Sequence, residues 1–155
     1  MKNDKNKLFA PILLALMFLA FTISLVCYIF RANKFRTVMY FESFDKVGLC
    51  TEERWLPKDC LQGREELFVD ELLLGPFTNR YKYIFAPGTR LEFFSLDNDT
   101  VYIGLSGEAL KKSRETADIN EGISLLKKNI VKNFTKINTV LVYIDGKSVE
   151  RNSWL

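Results

Sequence analysis

The feature that most constrains this chain is an uninterrupted apolar stretch close to its N-terminus. Residues 8–30 carry no charged side chain over 23 positions. As an α-helix, which rises about 1.5 Å per residue, the stretch would be roughly 35 Å long, enough to cross a hydrocarbon core of about 30 Å with some tilt. We therefore predict a transmembrane helix over residues 8–30, and we expect the rest of the chain to lie outside the bilayer.

Two other uses of such a stretch fit the residues less well. A cleaved signal peptide has an apolar core of roughly 7–15 residues and a small-residue cleavage site, whereas the residues after Phe30 contain no Ala-x-Ala pattern. Lipidation would use Cys27, but the preceding residues, Ser24, Leu25 and Val26, match a lipobox poorly. A lipoprotein modified at Cys27 stays open as the weaker alternative.

The charges that flank the apolar stretch do not fix its orientation. Three lysines precede it and Arg31, Lys34 and Arg36 follow it, so the positive-inside comparison is a tie. A first apolar segment behind a short basic tail commonly acts as a signal anchor. We expect a single-pass protein of the cytoplasmic membrane, with residues 1–7 as a cytoplasmic tail, 31–37 as a tether and 38–150 as an extracytoplasmic domain.

The part of the chain after the apolar stretch has the size and charge of one ordinary domain. It contains 125 residues (155 minus 30), which suffice for one hydrophobic core. Without Lys2, Lys5, Lys7 and Asp4, the chain has 19 basic and 18 acidic residues. This balance argues against a nucleic-acid partner, because phosphates require clustered positive charge.

The sequence contains few of the residue patterns that catalysis requires. The chain has no histidine, which excludes Ser-His-Asp and Cys-His arrangements, and it has no P-loop or calcium loop. The acidic pairs Glu52 with Glu53 and Asp97 with Asp99 are local, whereas a glycosidase needs two carboxyl groups across a cleft. We predict a protein that is not an enzyme, with no cofactor and no metal ligands.

Two cysteines lie in the predicted domain. Cys50 and Cys60 are ten residues apart, which is not the CxxC spacing of a redox or zinc site. In an oxidising compartment they could form a disulfide and stabilise the domain by roughly 2–3 kcal/mol. Two free thiols are the alternative, and the sequence leaves both open.

Hydrophobic periodicity predicts five strands and two helices in the domain. One helix has a single apolar stripe at helical spacing, formed by Ile119, Ile123, Leu126, Ile130 and Phe134. The predicted fold is α+β: a small mixed β-sheet with two helices packed on one face, in the order β-β-α-β-β-α-β, preceded by the transmembrane helix. The predicted elements are strands 38–44 and 49–56, helix 61–74, a central hairpin 90–96 with 101–106, helix 119–134 and strand 138–144.

Residues 77–85, which follow the predicted helix 61–74, combine aromatic side chains with interleaved cations. Such a mixture suits a protein or glycan interface, although the same aromatics could instead cover the open side of the sheet. The candidate interaction residues are Phe77, Arg80, Tyr81, Lys82, Tyr83 and Phe85.

Residues 71–76, 86–91, 101–110 and 140–147 form four short motifs in this order along the chain. Together they resemble the motifs of the GerMN domain, the sporulation and spore germination domain. Residues 71–76 (ELLLGP) are similar to its "LL.GP" helix end, and residues 86–91 (APGTRL) to its "P.GT.L" turn. Residues 101–110 (VYIGLSGEAL) and 140–147 (VLVYIDGK) resemble its "V.V.LS..L" and "V.F.VDGK" strands. The resemblance covers nearly the whole predicted domain.

The resemblance implies an α+β domain related to the ring-building modules of envelope assemblies, held outside the cytoplasmic membrane by a lipid or an apolar segment. It implies a non-enzymatic role in the bacterial envelope, linked in some members to spore formation or germination. The chain departs from the pattern by its transmembrane run in place of a lipobox, and by Cys50 and Cys60.

These observations lead to two functional hypotheses. In the first, the domain is an interaction or assembly module whose partner is another envelope protein or a second copy, with residues 8–30 in the lipid bilayer. In the second, the domain binds cell-wall glycan or a small ligand through the aromatic residues between positions 77 and 85.

Overall fold

The N-terminal part of the chain is a long apolar helix. The computed structural model describes residues 4–149 and divides the chain into two units at residue 35. Helix α1 spans Asp4–Ala32, and its segment Phe9–Ile29 has a mean hydropathy of 2.6 with none of the most apolar window buried. By length and composition this segment could cross a membrane. Because α1 begins at Asp4, Pro11 lies inside the helix, where its ring removes one backbone hydrogen bond to the preceding turn.

The elements after α1 follow the predicted order. Helix α1 continues to Ala32 and strand β1 begins at Lys34, so these two elements occupy all but one residue of the predicted tether 31–37. A short 3-10 helix spans Gly107–Leu110. The other elements are β1 Lys34–Glu42, β2 Leu49–Pro57, α2 Arg64–Leu73, β3 Leu91–Asp97, β4 Thr100–Leu105, α3 Ile119–Asn133, β5 Thr139–Ile144 and β6 Lys147–Ser148.

The strands form two sheets rather than the one that the sequence predicts. β1 and β2 make a two-stranded sheet, and the other four strands are ordered β3-β4-β5-β6. β4 and β5 are parallel, which requires a long crossover, and α3 lies in that connection. The α+β class and the element order are confirmed, but the predicted hairpin is not wholly central, because β3 is an edge strand.

A β-bulge interrupts the alternation of side chains along β3. Leu91 pairs with Leu105, whereas Phe93 pairs with Gly104, so Glu92 is the extra residue. Strict alternation would place Leu91 and Phe93 on one face of the sheet, but the bulge puts them on opposite faces. Alternation does hold in β4, where Val101, Ile103 and Leu105 share one face and are all fully buried.

The core joins the buried face of the four-stranded sheet to α2 and α3. The predicted stripe of α3 is confirmed, because Ile123, Leu126 and Ile130 are buried. Asp118 caps this helix by accepting a hydrogen bond from the backbone N–H of Asn120 at 3.2 Å. The main core residues outside α3 and β4 are Met39, Phe41, Phe68, Val69, Leu72, Val140, Val142 and Ile144.

Two asparagines of α3, one helical turn apart, bind the edge of β1 that faces away from β2. The amide of Asn129 accepts from the N–H of Tyr40 at 2.8 Å and donates to its C=O at 2.9 Å. Asn133 does the same with Val38, at 2.9 and 2.7 Å. We call this pair the asparagine clamp. Because each amide offers the donor and acceptor that a neighbouring strand would offer, the clamp replaces a missing strand.

In the structure Cys50 and Cys60 are free thiols, which is one of the two states that the sequence leaves open. The reason is the length of β2, which begins at Leu49 and ends at Pro57. At about 3.3 Å per residue, the strand separates Cys50 from Pro57 by roughly 23 Å, and the three residues up to Cys60 can return at most about 11 Å. The two Cα atoms therefore exceed the separation of about 7 Å beyond which no disulfide forms without backbone movement.

We expect Asn129→Ala to lower the free energy of unfolding by about 2–3 kcal/mol, because it leaves the N–H and C=O of Tyr40 without partners beside a fully buried position. Urea unfolding of the full chain in detergent, followed by tryptophan fluorescence, measures the change. Ser124→Ala is the matched control, since the hydroxyl of this exposed residue bonds only to the carbonyl of Asn120 in its own helix. Equal stability of the two variants would contradict a role for the clamp.

We also expect both domain thiols to be reactive without a reductant. A Cys27→Ser variant, unfolded in denaturant and alkylated, should gain two alkyl groups per chain by mass spectrometry whether or not it is first reduced. Two groups gained only after reduction would show that Cys50 and Cys60 are bonded and that β2 is not continuous.

Candidate interaction surface

The predicted interaction residues divide into three groups by exposure. The Phe77 side chain is 78% exposed and that of Arg80 is 79% exposed, while Tyr81, Lys82 and Tyr83 are half-buried. Phe85 is buried in the core, with its ring against α3 at Gly122. The structure thus brings the residues from Phe77 to Tyr83 to the surface and removes Phe85 from the candidate set. We call residues 77–83 the aromatic segment.

The aromatic segment starts where α2 ends. Gly75 has a φ of 88°, and its N–H bonds to the carbonyl of Leu72 at 3.2 Å, as the Gly-Pro sequence predicts for a left-handed helix cap. The ring of Tyr83 packs directly on Gly75, where a Cβ atom would be only 2.2 Å from the ring. Glycine is therefore required there both for its backbone angle and for the close approach of Tyr83.

A buried arginine of β2 holds the end of α2 and the start of the aromatic segment. The guanidinium of Arg54 is 2% exposed and donates to the backbone carbonyls of Glu71 and Gly75 at 2.9 and 2.5 Å. Its charge is balanced by the carboxylates of Glu52 at 2.6 Å and Glu71 at 3.5 Å. The ring of Phe77 covers the guanidinium at 4.0 Å, a cation–π contact.

Sequence reasoning did not single out Arg54. The signal was present, because alternation along β2 places Arg54 on the same face as Leu56 and Glu52. An arginine between a core leucine and an acidic residue on one face is a candidate for a buried ion pair. The sequence did not show that α2 would place its last carbonyls against that face.

Backbone hydrogen bonds fix the aromatic segment along the end of β1. The N–H of Lys82 donates to the carbonyl of Glu42 at 2.8 Å, and the N–H of Phe44 donates to the carbonyl of Arg80 at 3.1 Å. The Lys82 ammonium also pairs with the Glu42 carboxylate at 2.8 Å. The Tyr81 ring stacks on Phe41 with centroids 6.4 Å apart. The segment is thus held in one conformation by β1.

On its other side, the aromatic segment is bonded to the connection before α3. The N–H of Tyr83 donates to the carbonyl of Glu115, and the N–H of Ala117 donates to the carbonyl of Tyr83, both at 2.9 Å. Between these attachments lies an open groove of about 300 Å³. Its lining consists of Phe44, Pro76, Thr78, Asn79, Tyr81, Tyr83 and Glu115.

The arrangement can bind by stacking and hydrogen bonding. Its aromatic rings are fixed, and Thr78, Asn79 and Glu115 place polar groups beside them. Glu115 is the one carboxylate that lines the groove, so the pair of opposed carboxyl groups that glycoside hydrolysis needs is not provided there. Within residues 4–149, no group of three or more His, Cys, Asp or Glu side chains could hold a metal ion.

We expect Arg54→Ala to lower the free energy of unfolding by about 3 kcal/mol, because two carboxylates and two helix-end carbonyls lose a buried donor. The matched control is Arg36→Ala, which breaks an exposed pair with Glu53 on the same sheet and should change stability little. Urea unfolding of the full chain in detergent measures both. A loss of stability in Arg36→Ala equal to that in Arg54→Ala would contradict the role of burial.

Two solved structures share this fold. The tandem GerMN domains of the sporulation protein GerM from Bacillus subtilis match with a TM-score of 0.60 and 15% identity, over 76% of this chain and 42% of that one. The first GerMN domain of the same protein matches with a TM-score of 0.58 and 16% identity, over 74% of this chain and 86% of that one. The chain thus spans less than half of the tandem-domain structure.

No curated protein matches the chain. The family model described as "Germane: Sporulation and spore germination" matches residues 38–150. The match covers most of the chain, and it confirms the resemblance indicated by the four motifs. The chain therefore belongs to the sporulation and spore germination family, whose domain is of the GerMN type.

Proposed function

We propose that this chain is a single-pass membrane protein of the bacterial envelope whose GerMN-type domain acts as a non-catalytic interaction module outside the cytoplasmic membrane. The observation that carries the proposal is that the chain separates into two units: a helix whose apolar side chains are exposed, and a second unit whose apolar side chains form a buried core. The most apolar window of Phe9–Ile29 has no buried residues. The second unit has a hydrophobic core of its own.

An exposed helix of this kind is stable in a bilayer, where its apolar side chains leave water and its backbone is bonded internally. The family supports a non-catalytic domain. The absence of histidine from the sequence supports the same conclusion, because it removes the commonest general acid and base.

The aromatic segment is the surface that we assign to the partner, which we take to be another envelope protein. Phe77 and Arg80 are exposed, and both phenylalanine and arginine are enriched at protein interfaces relative to the rest of the surface. Phe77 is held by Arg54, and the neighbouring backbone is fixed by β1. Little conformational entropy would therefore be lost when a partner binds.

Membrane topology can be tested with an epitope at the C-terminus. We expect alkaline carbonate to leave the chain in the membrane fraction, and protease added to intact spheroplasts to remove the epitope, because the domain lies outside. A cytoplasmic protein of the same cells is the control for spheroplast integrity. Extraction by carbonate would contradict the anchor, and protection of the epitope would contradict the orientation.

The interaction surface can be tested with a photocrosslinking residue at position 77. We expect irradiation of intact cells to give a discrete adduct with one protein, and Arg80→Ala to weaken it. The matched control is the same residue at position 131 on α3, where Val131 is also exposed. Equal adducts from both positions, or adducts with lipid alone, would contradict the proposal.

The groove beside the aromatic segment supports a second candidate function, the binding of a cell-wall glycan or small ligand. Its tyrosine rings and polar side chains are suited to stacking and hydrogen bonding with a sugar. In this case the domain should sediment with isolated cell-wall material, and Asn79→Trp should abolish binding by filling the groove. Asn79 is exposed, so the substitution should leave the fold intact.

A further inference from the structure

Strand β3 has an open edge. It pairs with β4 on one side, and in the described part of the chain no other strand lies beside it. Five of its seven residues are exposed. In an antiparallel pair, alternate residues direct their N–H and C=O groups away from the partner strand, so β3 presents unpaired backbone groups to any extended chain that approaches.

The devices that usually protect an edge strand are mostly missing from β3. It contains no proline and no lysine, and its centre, Phe93 to Leu96, carries no charge. The bulge at Glu92 interrupts pairing at one end only. Phe93, 43% exposed, occupies the space above Gly104, where a Cβ atom would be 2.1 Å from its ring. The Leu96 side chain is 46% exposed.

The charges around the free edge of β3 favour a partner segment of positive charge. Residues 90–99 contain one basic residue, Arg90, and three acidic ones, Glu92, Asp97 and Asp99. Asp99 lies in the turn that follows β3, and a hydrogen bond from the Asn138 side chain lowers the pKa of this carboxyl. A second copy of β3 would bring the same net negative charge, whereas a basic segment would neutralise it.

We propose that the free edge of β3 binds an extended, basic segment of a partner protein by strand addition. The segment would become a fifth strand of the sheet, giving the strand order partner-β3-β4-β5-β6. Its apolar side chains would lie beside Phe93 on one face and Leu96 on the other, with lysines or arginines near Asp97 and Asp99. This surface shares no residue with the aromatic segment and goes beyond the function proposed above.

The test uses the full chain in a zwitterionic detergent and a fluorescent nine-residue peptide with a Val-Thr-Val-Thr-Val centre and two lysines at each end. The comparison peptide has glutamates in place of the lysines. We expect the lysine peptide to bind about tenfold more tightly by fluorescence anisotropy, and to slow hydrogen exchange of the β3 amides. In the double variant Glu92→Lys with Asp97→Lys, the glutamate peptide should bind more tightly than the lysine peptide, because both exposed carboxylates become ammonium groups.

The matched control is Asp59→Lys with Glu121→Lys, which changes the net charge equally at two exposed positions outside β3 and outside the groove beside the aromatic segment. This variant should still prefer the lysine peptide. Absence of binding, binding without protection of the β3 amides, or reversed preference in the control would each overturn the proposal. So would a dimer in analytical ultracentrifugation that Leu96→Lys dissociates, because the occupant of the edge would then be a second copy.

Discussion

The asparagine clamp is the contact on which the arrangement of the domain depends. A two-stranded sheet leaves backbone groups unpaired along its free edges, and Asn129 and Asn133 satisfy the donors and acceptors of Tyr40 and Val38 on the free edge of β1. They attach β1 to α3, the helix that crosses between β4 and β5. The small sheet is thereby held against the core without joining the larger sheet.

The aromatic segment depends on this attachment through β1. Its carbonyl and N–H groups pair with the end of β1, and its first residue lies on Arg54 of the neighbouring strand. Arg54 in turn binds the last carbonyls of α2, whose own face packs in the core. The surface residues Phe77 and Arg80 are thus presented by a framework that hydrogen bonds hold in place, and this is the property that a preformed binding surface requires.

Local chemistry made much of the fold predictable. The α3 stripe, the cap at Gly75 and the turn at Pro87-Gly88 each depend on residues within a few positions, and each is found. Long-range features were missed for a common reason. The bulge at Glu92, the burial of Arg54 and the clamp at Asn129 are determined by what another element places opposite them, and a single sequence does not display those partners. The aromatic segment was found by composition, but only the packing of α3 shows that Phe85 belongs to the core.

The sequence by itself determined the apolar helix, the α+β class, the order of elements and the family, because these follow from runs, periods and short motifs along the chain. Only the tertiary structure decided how the strands divide into two sheets, which aromatic side chains reach the surface and whether Cys50 can meet Cys60. The physical reason is the same in each case. Burial, hydrogen bonding and distance depend on residues far apart in sequence, and the length of β2 alone keeps two nearby cysteines apart.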